Sequence, residues 1–460
     1  MSGKTTKAAS APSGYAGGRD WQKHADDFLW VRETIESIVV AFLLAFLFRT
    51  FEAEPFVIPT GSMAPTLLGW HKDITSDATG YRFQANASME FPEQAGKDAQ
   101  PAFVLGVVDP ISRFPEAIDE AKNPNHDSFC GDRILVSKFI YDFSEPQRWD
   151  VIVFKYPKDA KMNYIKRLIG LPNEIVRVVG GNIWAKPRSA DDSAFRIQRK
   201  PDIRLLSMLQ LVDDTHYIAP DLQKVNWPSK WQRWTPGEPI QPARSSAEDS
   251  EGLVLQSSAG GPTWMRYYQI LPSAADWYEI VEKNRKPNDV EKRFAEPITD
   301  FAAYNATYDT QIGGGSTMSR AEYREYASQK RPSRLFLDPD TGKPVELEPE
   351  KLGQHWVGDL ALELEVNVES DRGTLLLDLV KSGEHFQCKI DLSSGDATLS
   401  RSKGEFSDDE GKTKAATPVA KTSVRGKGRY KLRFSNIDDE LRLWVNDRRA
   451  SFNGPTTYSY

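Results

Sequence analysis

The segment NYIKRLIGLPNE (163–174) contains a strand-like run, Tyr164 to Ile169, with Lys166 in its interior. A hundred residues earlier, IPTGSMAPTL (58–67) follows an apolar stretch and presents Ser62 after a glycine and between two prolines. A serine hydroxyl needs a base within hydrogen-bond reach, and a lysine can serve where burial lowers its pKa towards neutrality. Apolar neighbours on the strand favour that desolvation. The two segments together predict a serine nucleophile, Ser62, with Lys166 as its general base.

Each segment alone also has an ordinary explanation. A Gly-Ser between prolines is typical of a turn, and a Lys-Arg pair in a strand is typical of a solvated sheet edge. A catalytic role is favoured over these ordinary explanations because further segments occur with the two in a fixed order. After an apolar anchor come EPFVIPTGSMAPTL (54–67), GDRILVSKFIYDF (131–143), RWDVIVFKYP (148–157) and NYIKRLIGLPNEIVRVVGGNIW (163–184).

These four segments, in this order, resemble the type I signal peptidases, the membrane-bound serine proteases that remove signal peptides from exported preproteins. The resemblance covers residues 30–185 and implies a β-barrel catalytic domain of the signal-peptidase type. It implies Ser62 as nucleophile and Lys166 as general base, with the Ser62 backbone N–H and the Thr60 hydroxyl as the oxyanion hole. It implies no cofactor.

The same resemblance implies how a preprotein signal peptide is recognised. An extended peptide can add as a strand beside an exposed edge, with alternate side chains entering pockets. Four residues are expected to line shallow apolar pockets for the small residues before the cleavage point. They are Phe56, Ile58, Tyr164 and Ile165.

Two departures from the family pattern matter. Asn173 stands where the family usually has glycine in a turn, and asparagine tolerates the positive φ that such a turn needs. The family's C-terminal box, Gly-Asp-Asn followed by Ser and Asp-Ser-Arg, is not found before Tyr460. Either the chain is truncated upstream of that box, or the enzyme is degenerate and inactive. Activity is therefore expected only if the box exists beyond residue 460.

Composition indicates a multidomain protein. The 460 residues suggest about three units, and 39% hydrophobic residues are enough for their cores. A net charge of -6 gives no sign of a nucleic-acid surface, so nucleic acid is not expected as a partner. The two cysteines, Cys130 and Cys388, lie far apart, and each is expected to be a buried free thiol.

The N-terminal region predicts a disordered tail over residues 1–28 and a transmembrane anchor over 29–52. The apolar run Ile35 to Phe48 reaches about 21 Å, short of a hydrocarbon core of about 30 Å, so a buried or interfacial helix is the alternative. Flanking Trp30 and Phe51 and the family resemblance favour a single span in the cell membrane. The lipid bilayer is then a partner, and the catalytic domain faces the extracytoplasmic side.

The peptidase core is assigned to residues 53–69 and 129–185, with a loop-rich insertion over 70–128 between its parts. Within the insertion, two segments have the shape of zinc-ribbon knuckles. Their ligand positions would be Ser76, Thr79, Asp109 and Ser112. None of the four is cysteine or histidine, so tetrahedral zinc is not supported and no metal site is predicted. A former metal site and a plain turn-rich insertion stay open as explanations.

A linker with one helix is predicted over residues 186–224, followed by a β-rich region over 225–460. Clear two-residue alternation, as in DLALELEVNV (359–368), resembles a laminin-G or concanavalin-like jelly-roll sandwich. A helical excursion is expected at 274–330, and WMRYYQI (264–270) is expected to join the same sheets. The predicted fold class is mainly β: a transmembrane helix, a peptidase barrel and an inserted jelly roll.

Three functions remain open on this reasoning. The first is an anchored signal peptidase, a hydrolase of the serine endopeptidase class. The second is an inactive anchored scaffold whose jelly roll binds a glycan or a protein. The third is a self-cleaving Ser-Lys protease of the repressor type, which is weakest because no DNA-reading helix is evident and an apolar anchor is present.

Overall fold

The computed structural model describes residues 18–47, 53–91, 102–120, 123–235, 255, 261–311, 334–338 and 341–459. Strands outnumber helices among them, which confirms the mainly β fold class. Residues 1–17 of the predicted tail and residues 312–330 of the predicted helical excursion lie outside the described residues.

The described helices are α1 Gly18–Leu47, α2 Ile140–Phe143, α3 Asp202–Leu206, α4 Pro220–Lys224, α5 Ala274–Val281 and α6 Pro349–Leu352. The first strands are β1 Ala53–Val57, β2 His71–Thr75, β3 Arg82–Asn86, β4 Ala102–Val108, β5 Pro115–Ala117, β6 Arg133–Ser137, β7 Val151–Tyr156, β8 Asp159–Arg167, β9 Glu174–Val179, β10 Asn182–Pro187 and β11 Arg196–Ile197. The later strands are β12 Trp231–Trp234, β13 Trp264–Tyr267, β14 Thr307–Gln311, β15 Leu360–Val368, β16 Thr374–Lys381, β17 Glu384–Asp391, β18 Asp396–Arg401, β19 Phe406–Ser407, β20 Lys414–Ala415, β21 Val419–Lys421, β22 Gly428–Ile437, β23 Glu440–Val445 and β24 Arg448–Arg449.

The chain divides into two compact units. The first comprises residues 1–56 and 133–146 and contains α1, α2 and the β1–β6 strand pair. Its helix α1 begins at Gly18, so helical structure starts inside the segment predicted to be a disordered tail. Among the helices of the described ranges, none combines the length and the apolar character that crossing a bilayer requires.

The second unit comprises residues 57–132 and 147–460. In the part predicted to be the peptidase core, β7 pairs with β8, and β9 pairs with β10, which pairs with β11. All these pairs are antiparallel. These strands form separate two- and three-stranded sheets, and the described strands do not close into the predicted barrel.

The segment predicted to be a loop-rich insertion contains four strands. β2 pairs with β3, and β4 lies between β5 and the distant β14. Apolar side chains of β4, including Phe103 and Leu105, share a hydrophobic cluster with Phe301 and Tyr308. The insertion is therefore packed against chain that follows it by about two hundred residues, as its apolar strand AFVLGVV (102–108) requires.

One prediction about the C-terminal region is corrected by the strand pairing. β12 and β13 pair only with each other among the described strands, so WMRYYQI does not join the sandwich sheets. Trp227, Ile270 and Trp277 instead share a cluster with Phe114 of the insertion. Large aromatic side chains bury the most area where they meet, and here they meet the insertion rather than the C-terminal strands.

The C-terminal region, residues 360–449, contains two four-stranded antiparallel sheets and the short β19-β20 pair. One has the order β15-β22-β23-β24 and the other β16-β17-β18-β21. Strand β15 alternates between partly buried and exposed residues, which confirms the predicted strand at 359–368. Leu432 and Phe434 of one sheet and Phe386 and Leu399 of the other are fully buried in one shared core. The jelly-roll assignment stays a prediction.

The four knuckle positions of the insertion are brought together. Asp109, fully buried, accepts hydrogen bonds from the Ser112 backbone N–H at 2.6 Å and from the Thr79 hydroxyl at 2.6 Å. The Ser76 hydroxyl oxygen accepts from the Thr79 backbone N–H at 3.3 Å. Hydrogen bonds thus hold the two loops together. Within the described ranges, no group of three or more His, Cys, Asp or Glu side chains is suited to a metal ion.

The two cysteines differ in exposure. Cys388 is buried, as predicted, and burial raises the pKa of its thiol to about 12. Cys130 is exposed, so the prediction of a buried thiol is wrong there. Cys130 immediately precedes Gly131 and Asp132. The close contacts at this point are made by the backbone of Gly131 and Asp132 with the serine loop, not by the cysteine side chain.

Candidate active site

The serine loop, residues 58–69, carries Ser62 on a single 3₁₀ turn, Gly61–Met63. Asp132 ties both ends of the loop. Its backbone carbonyl accepts from the Ile58 N–H at 2.9 Å, and its carboxylate accepts from the Leu68 N–H at 2.8 Å. Ile58 and Met63 are buried beneath the turn, so the loop is fixed from below while Ser62 stays exposed.

Glycines allow the loop to pack closely. A Cβ at Gly69 would lie 2.6 Å from the Gly61 nitrogen, and a Cβ at Gly131 would overlap the Ile58 carbonyl oxygen. A Cβ at Gly61 would lie 2.5 Å from the Tyr304 hydroxyl oxygen. The group that approaches Gly61 is therefore a tyrosine ring of the same chain.

Lys166 reaches the nucleophile from β8. Its Nζ lies 2.8 Å from Ser62 Oγ and donates a second hydrogen bond to the Ile165 carbonyl at 3.0 Å. The neighbouring Arg167 donates to Thr66 Oγ1 at 3.0 Å and to the Trp149 carbonyl at 3.0 Å. Arg167 therefore joins the strand to the serine loop next to the Ser62–Lys166 pair.

The expected burial of Lys166 is wrong for this structure. Both Ser62 and Lys166 are exposed, and within β8 only Ile165 is buried. Strand β8 pairs with β7 on one side, and among the described strands none pairs with its other edge. An apolar sequence around a lysine desolvates it only when something covers the strand.

The predicted oxyanion residues lie beside the nucleophile. Thr60 is extended (φ -127°, ψ 152°), and its side chain makes no capping hydrogen bond to the turn that follows. Thr60, Gly61, Ser62 and Ala64 line one cavity of about 380 Å³.

The four predicted apolar pocket residues are distributed differently. Ile58 and Ile165 are buried, whereas Tyr164 is half-buried and stacks on Tyr156 with ring centroids 4.7 Å apart. Phe56 is half-buried and belongs to the first unit. None of the four lines the cavity beside Ser62, which is closed instead by side chains near residues 86–89, 210 and 302–305.

The turn after the lysine strand is as the sequence predicts. Asn173 adopts φ 60°, in the left-handed region that the family's glycine would occupy. Arg148 holds this turn, since its guanidinium donates to both carboxylate oxygens of Glu174 at 2.6 and 2.5 Å. Sequence reasoning did not single out Asp132, Arg148 or Tyr304; the first two lie within quoted segments, but nothing local marks Tyr304.

Comparison with known proteins finds a family that part of this chain matches in sequence. The family model described as signal peptidase, peptidase S26, matches residues 31–85 and 102–220. The match therefore runs through much of the segment that the sequence analysis set apart as an insertion. It does not include residues 302–305.

Curated relatives agree. Signal peptidase I of Pseudomonas fluorescens is 48% identical over 142 residues, which cover 31% of this chain and 33% of that protein. Signal peptidase I of Buchnera aphidicola from Acyrthosiphon pisum is 29% identical over 145 residues, 32% of this chain and 31% of the relative. The chain thus spans about a third of the length of these relatives. No solved structure matches.

The matched region contains Thr60, Ser62 and Lys166, and it accounts for the serine loop, β8 and the turn at Asn173. Over residues 31–85 and 102–220, this chain is similar to the type I signal peptidases of the peptidase S26 family.

Proposed function

We propose that this chain is a serine endopeptidase that removes signal peptides from exported preproteins, with Ser62 as nucleophile and Lys166 as general base. The observation that carries the proposal is the 2.8 Å separation of Ser62 Oγ and Lys166 Nζ inside the family-matched region. That distance lies within the range over which a base can take the proton of a nucleophile.

The proposed reaction has two steps. The neutral amine of Lys166 takes the Ser62 hydroxyl proton as Oγ attacks the scissile carbonyl, and the Ser62 N–H and Thr60 hydroxyl stabilise the oxyanion. The lysine ammonium then protonates the departing amine, which leaves an acyl-enzyme on Ser62. Water, deprotonated by the same lysine, releases the signal peptide as its carboxylate and frees Ser62.

Substrate binding completes the site in this proposal. The signal peptide adds as a strand to the unpaired edge of β8 and places alternate side chains near the predicted pocket residues Ile58, Tyr164 and Ile165 of the same unit. The added strand covers Lys166, which is exposed in the free chain. Desolvation of the lysine by the substrate then favours the neutral amine that the reaction needs.

Attachment to the lipid bilayer through α1, with the catalytic part on the extracytoplasmic side, belongs to the same proposal. It is supported by apolar side chains of α1 that are largely exposed, among them Trp30 at 68%, Phe42 at 74% and Phe46 at 65%. Alkaline carbonate extraction of membranes tests it. The chain should stay in the pellet, and a Phe42→Asp, Phe46→Asp variant should move to the supernatant. Equal extraction of both would contradict anchoring through α1.

The activity is tested by cleavage of a preprotein in detergent, with the 460-residue chain and with the complete product of its reading frame. Ser62→Ala and Lys166→Ala should abolish cleavage without unfolding the protein. Matched controls are Ser137→Ala, an exposed serine on β6, and Lys161→Ala, an exposed lysine on β8. Cleavage that survives Ser62→Ala, or a folded complete product that never cleaves, would contradict the proposal.

A further inference from the structure

We propose that the cavity beside Ser62 is a substrate subsite for an uncharged, hydrogen-bonding side chain, of the amide or hydroxyl class, close to the cleavage point. The inference rests on the proposed function and specifies the substrates of the same site. It concerns a different surface from the apolar pockets that the family resemblance implies.

The cavity is placed to hold part of a peptide bound at the nucleophile. Its wall includes Thr60, Gly61 and Ser62, so a side chain inside it lies directly beside the reacting serine. Its volume of about 380 Å³ is at the lower end of the usual range for ligand pockets, about 300–1,000 Å³. It suits one or two side chains rather than a separate large ligand.

The remaining wall is polar without being charged. Its polar members are Asn86, Ser88, Gln210 and Asn305, and Met89, Ala302 and the ring of Tyr304 complete it. Amides offer both donors and acceptors, and a hydroxyl offers one donor and two acceptors. A neutral polar side chain can satisfy such a wall, whereas an alkyl side chain would leave its hydrogen-bonding groups unpaired.

One of these groups already lacks a partner. Ser88 is 5% exposed, and its hydroxyl oxygen has no hydrogen-bond partner within the described part of the chain. The Ser88 backbone N–H donates to Asn86 Oδ1 at 3.0 Å, which fixes the turn that carries the hydroxyl. A buried hydroxyl without a partner is unfavourable, and a ligand that bonds to it removes that penalty.

The far wall comes from chain outside the family match. Residues 303–305 form a 3₁₀ turn, and Ala303 packs against the cluster of Phe83 and Ala85 on β3. With this packing, the Tyr304 ring lies against Gly61 and Asn305 lines the cavity. The subsite is therefore built partly by a segment that the S26 match does not include, and we infer a preference particular to this chain.

The test is a set of model preprotein peptides that differ at one position at a time around the cleavage point, with Ala, Ser, Asn, Gln or Leu at each. At one position, kcat/KM should favour Ser, Asn or Gln over Leu by about tenfold, the size of one good hydrogen bond. Ser88→Ala and Gln210→Leu should remove most of that preference, so that the ratio of kcat/KM between the polar peptides and the Leu peptide approaches one. The control Gln223→Leu, an exposed glutamine on α4, should keep the preference.

A second measurement guards against a merely structural effect. Because Ser88→Ala deletes an unpaired buried hydroxyl, its Tm should equal or exceed that of the parent chain while its selectivity falls. Reduced selectivity with a lowered Tm in every variant would instead indicate a general disturbance and overturn the subsite. No position with a polar preference would overturn it as well.

Equilibrium binding separates this inference from the proposed function. The same peptides are titrated onto the Ser62→Ala chain, which cannot acylate. Tighter binding of the polar peptides that Ser88→Ala abolishes would support the subsite even if the parent chain cleaved nothing. Binding without any polar preference would overturn the subsite even if Ser62-dependent cleavage occurred.

Discussion

Gly69 lies against the backbone nitrogen of Gly61, so that a Cβ at residue 69 would lie only 2.6 Å from that nitrogen. The backbone of Thr60–Ser62 can hold its position only because residue 69 has no side chain. The oxyanion donors proposed above lie on this backbone, so the contact should affect catalysis more than folding.

We therefore expect Gly69→Ala to lower kcat by about tenfold to a hundredfold, because a displacement of the nucleophile by an ångström has effects of that size. The control is Gly261→Ala, since a Cβ at residue 261 meets nothing within 4 Å. Cleavage rates and Tm values of both variants check the prediction. Unchanged kcat in a folded Gly69→Ala chain would show that the loop relaxes without loss.

Arg167 and Thr66 are expected to be energetically coupled, because their 3.0 Å hydrogen bond joins the lysine strand to the serine loop. A double-mutant cycle with Arg167→Met and Thr66→Val should give a coupling of about 0.5–1.5 kcal/mol in the activation free energy. The measurement is kcat/KM for the parent, both single variants and the double variant. Additive effects would mean that the bond does not align Lys166 with Ser62.

Glu116 should make stability depend on pH. Burial, followed by the neighbouring Asp77 carboxylate, raises the pKa of Glu116 from 4.5 to about 8. The folded chain then keeps a proton that the unfolded chain releases. This contribution to stability is fully present below pH 4.5 and is lost as the pH rises to about 8, with a slope of at most about 1.4 kcal/mol per pH unit.

Glu116→Gln should remove this slope, because the amide cannot titrate and still accepts from the Asp77 N–H that lies 3.1 Å from Oε2. The slope is measured by urea unfolding between pH 7 and 8.5. This range lies above the titration of His126, because burial lowers the pKa of that histidine. The exposed Glu369→Gln serves as control. Equal slopes for parent and Glu116→Gln would show that Glu116 is ionised in the folded chain at neutral pH.

Lys200 and Asp438 should contribute strongly to stability. Asp438 is fully buried, and its carboxylate accepts from Lys200 Nζ at 2.5 Å and from the Lys200 N–H at 3.0 Å. Lys200→Met leaves a buried carboxylate without its cation, and we expect a loss of about 3 kcal/mol in the free energy of unfolding.

The matched control is Lys421→Met. Lys421 also pairs with an aspartate, Asp396, but its side chain is 78% exposed, so removing it should change stability by less than about 0.5 kcal/mol. Denaturant unfolding of the two variants provides the comparison. Similar losses in both would mean that the buried pair adds nothing beyond a surface ion pair.

Local sequence was sufficient to predict those turns and strands whose conformation depends mainly on neighbouring residues. The Gly-Ser turn between prolines, the strand around Lys166 and the turn at Asn173 are all present in the structure. The alternation in 359–368 likewise predicted β15. Two-residue periodicity and positive φ are properties of short segments, so they can be inferred without knowing what packs against them.

The tertiary structure alone decided what surrounds these segments. Tyr304 reaches Gly61 across more than two hundred residues because β14 pairs with β4 and Ala303 packs on β3. The burial expected for Lys166 failed because a strand side chain is buried only where other chain packs on its face of the sheet, and that packing is a property of the assembled structure. The sequence by itself thus predicted the resemblance to signal peptidases and the roles of Ser62 and Lys166. Packing between distant segments determined their solvation and the polar cavity beside them.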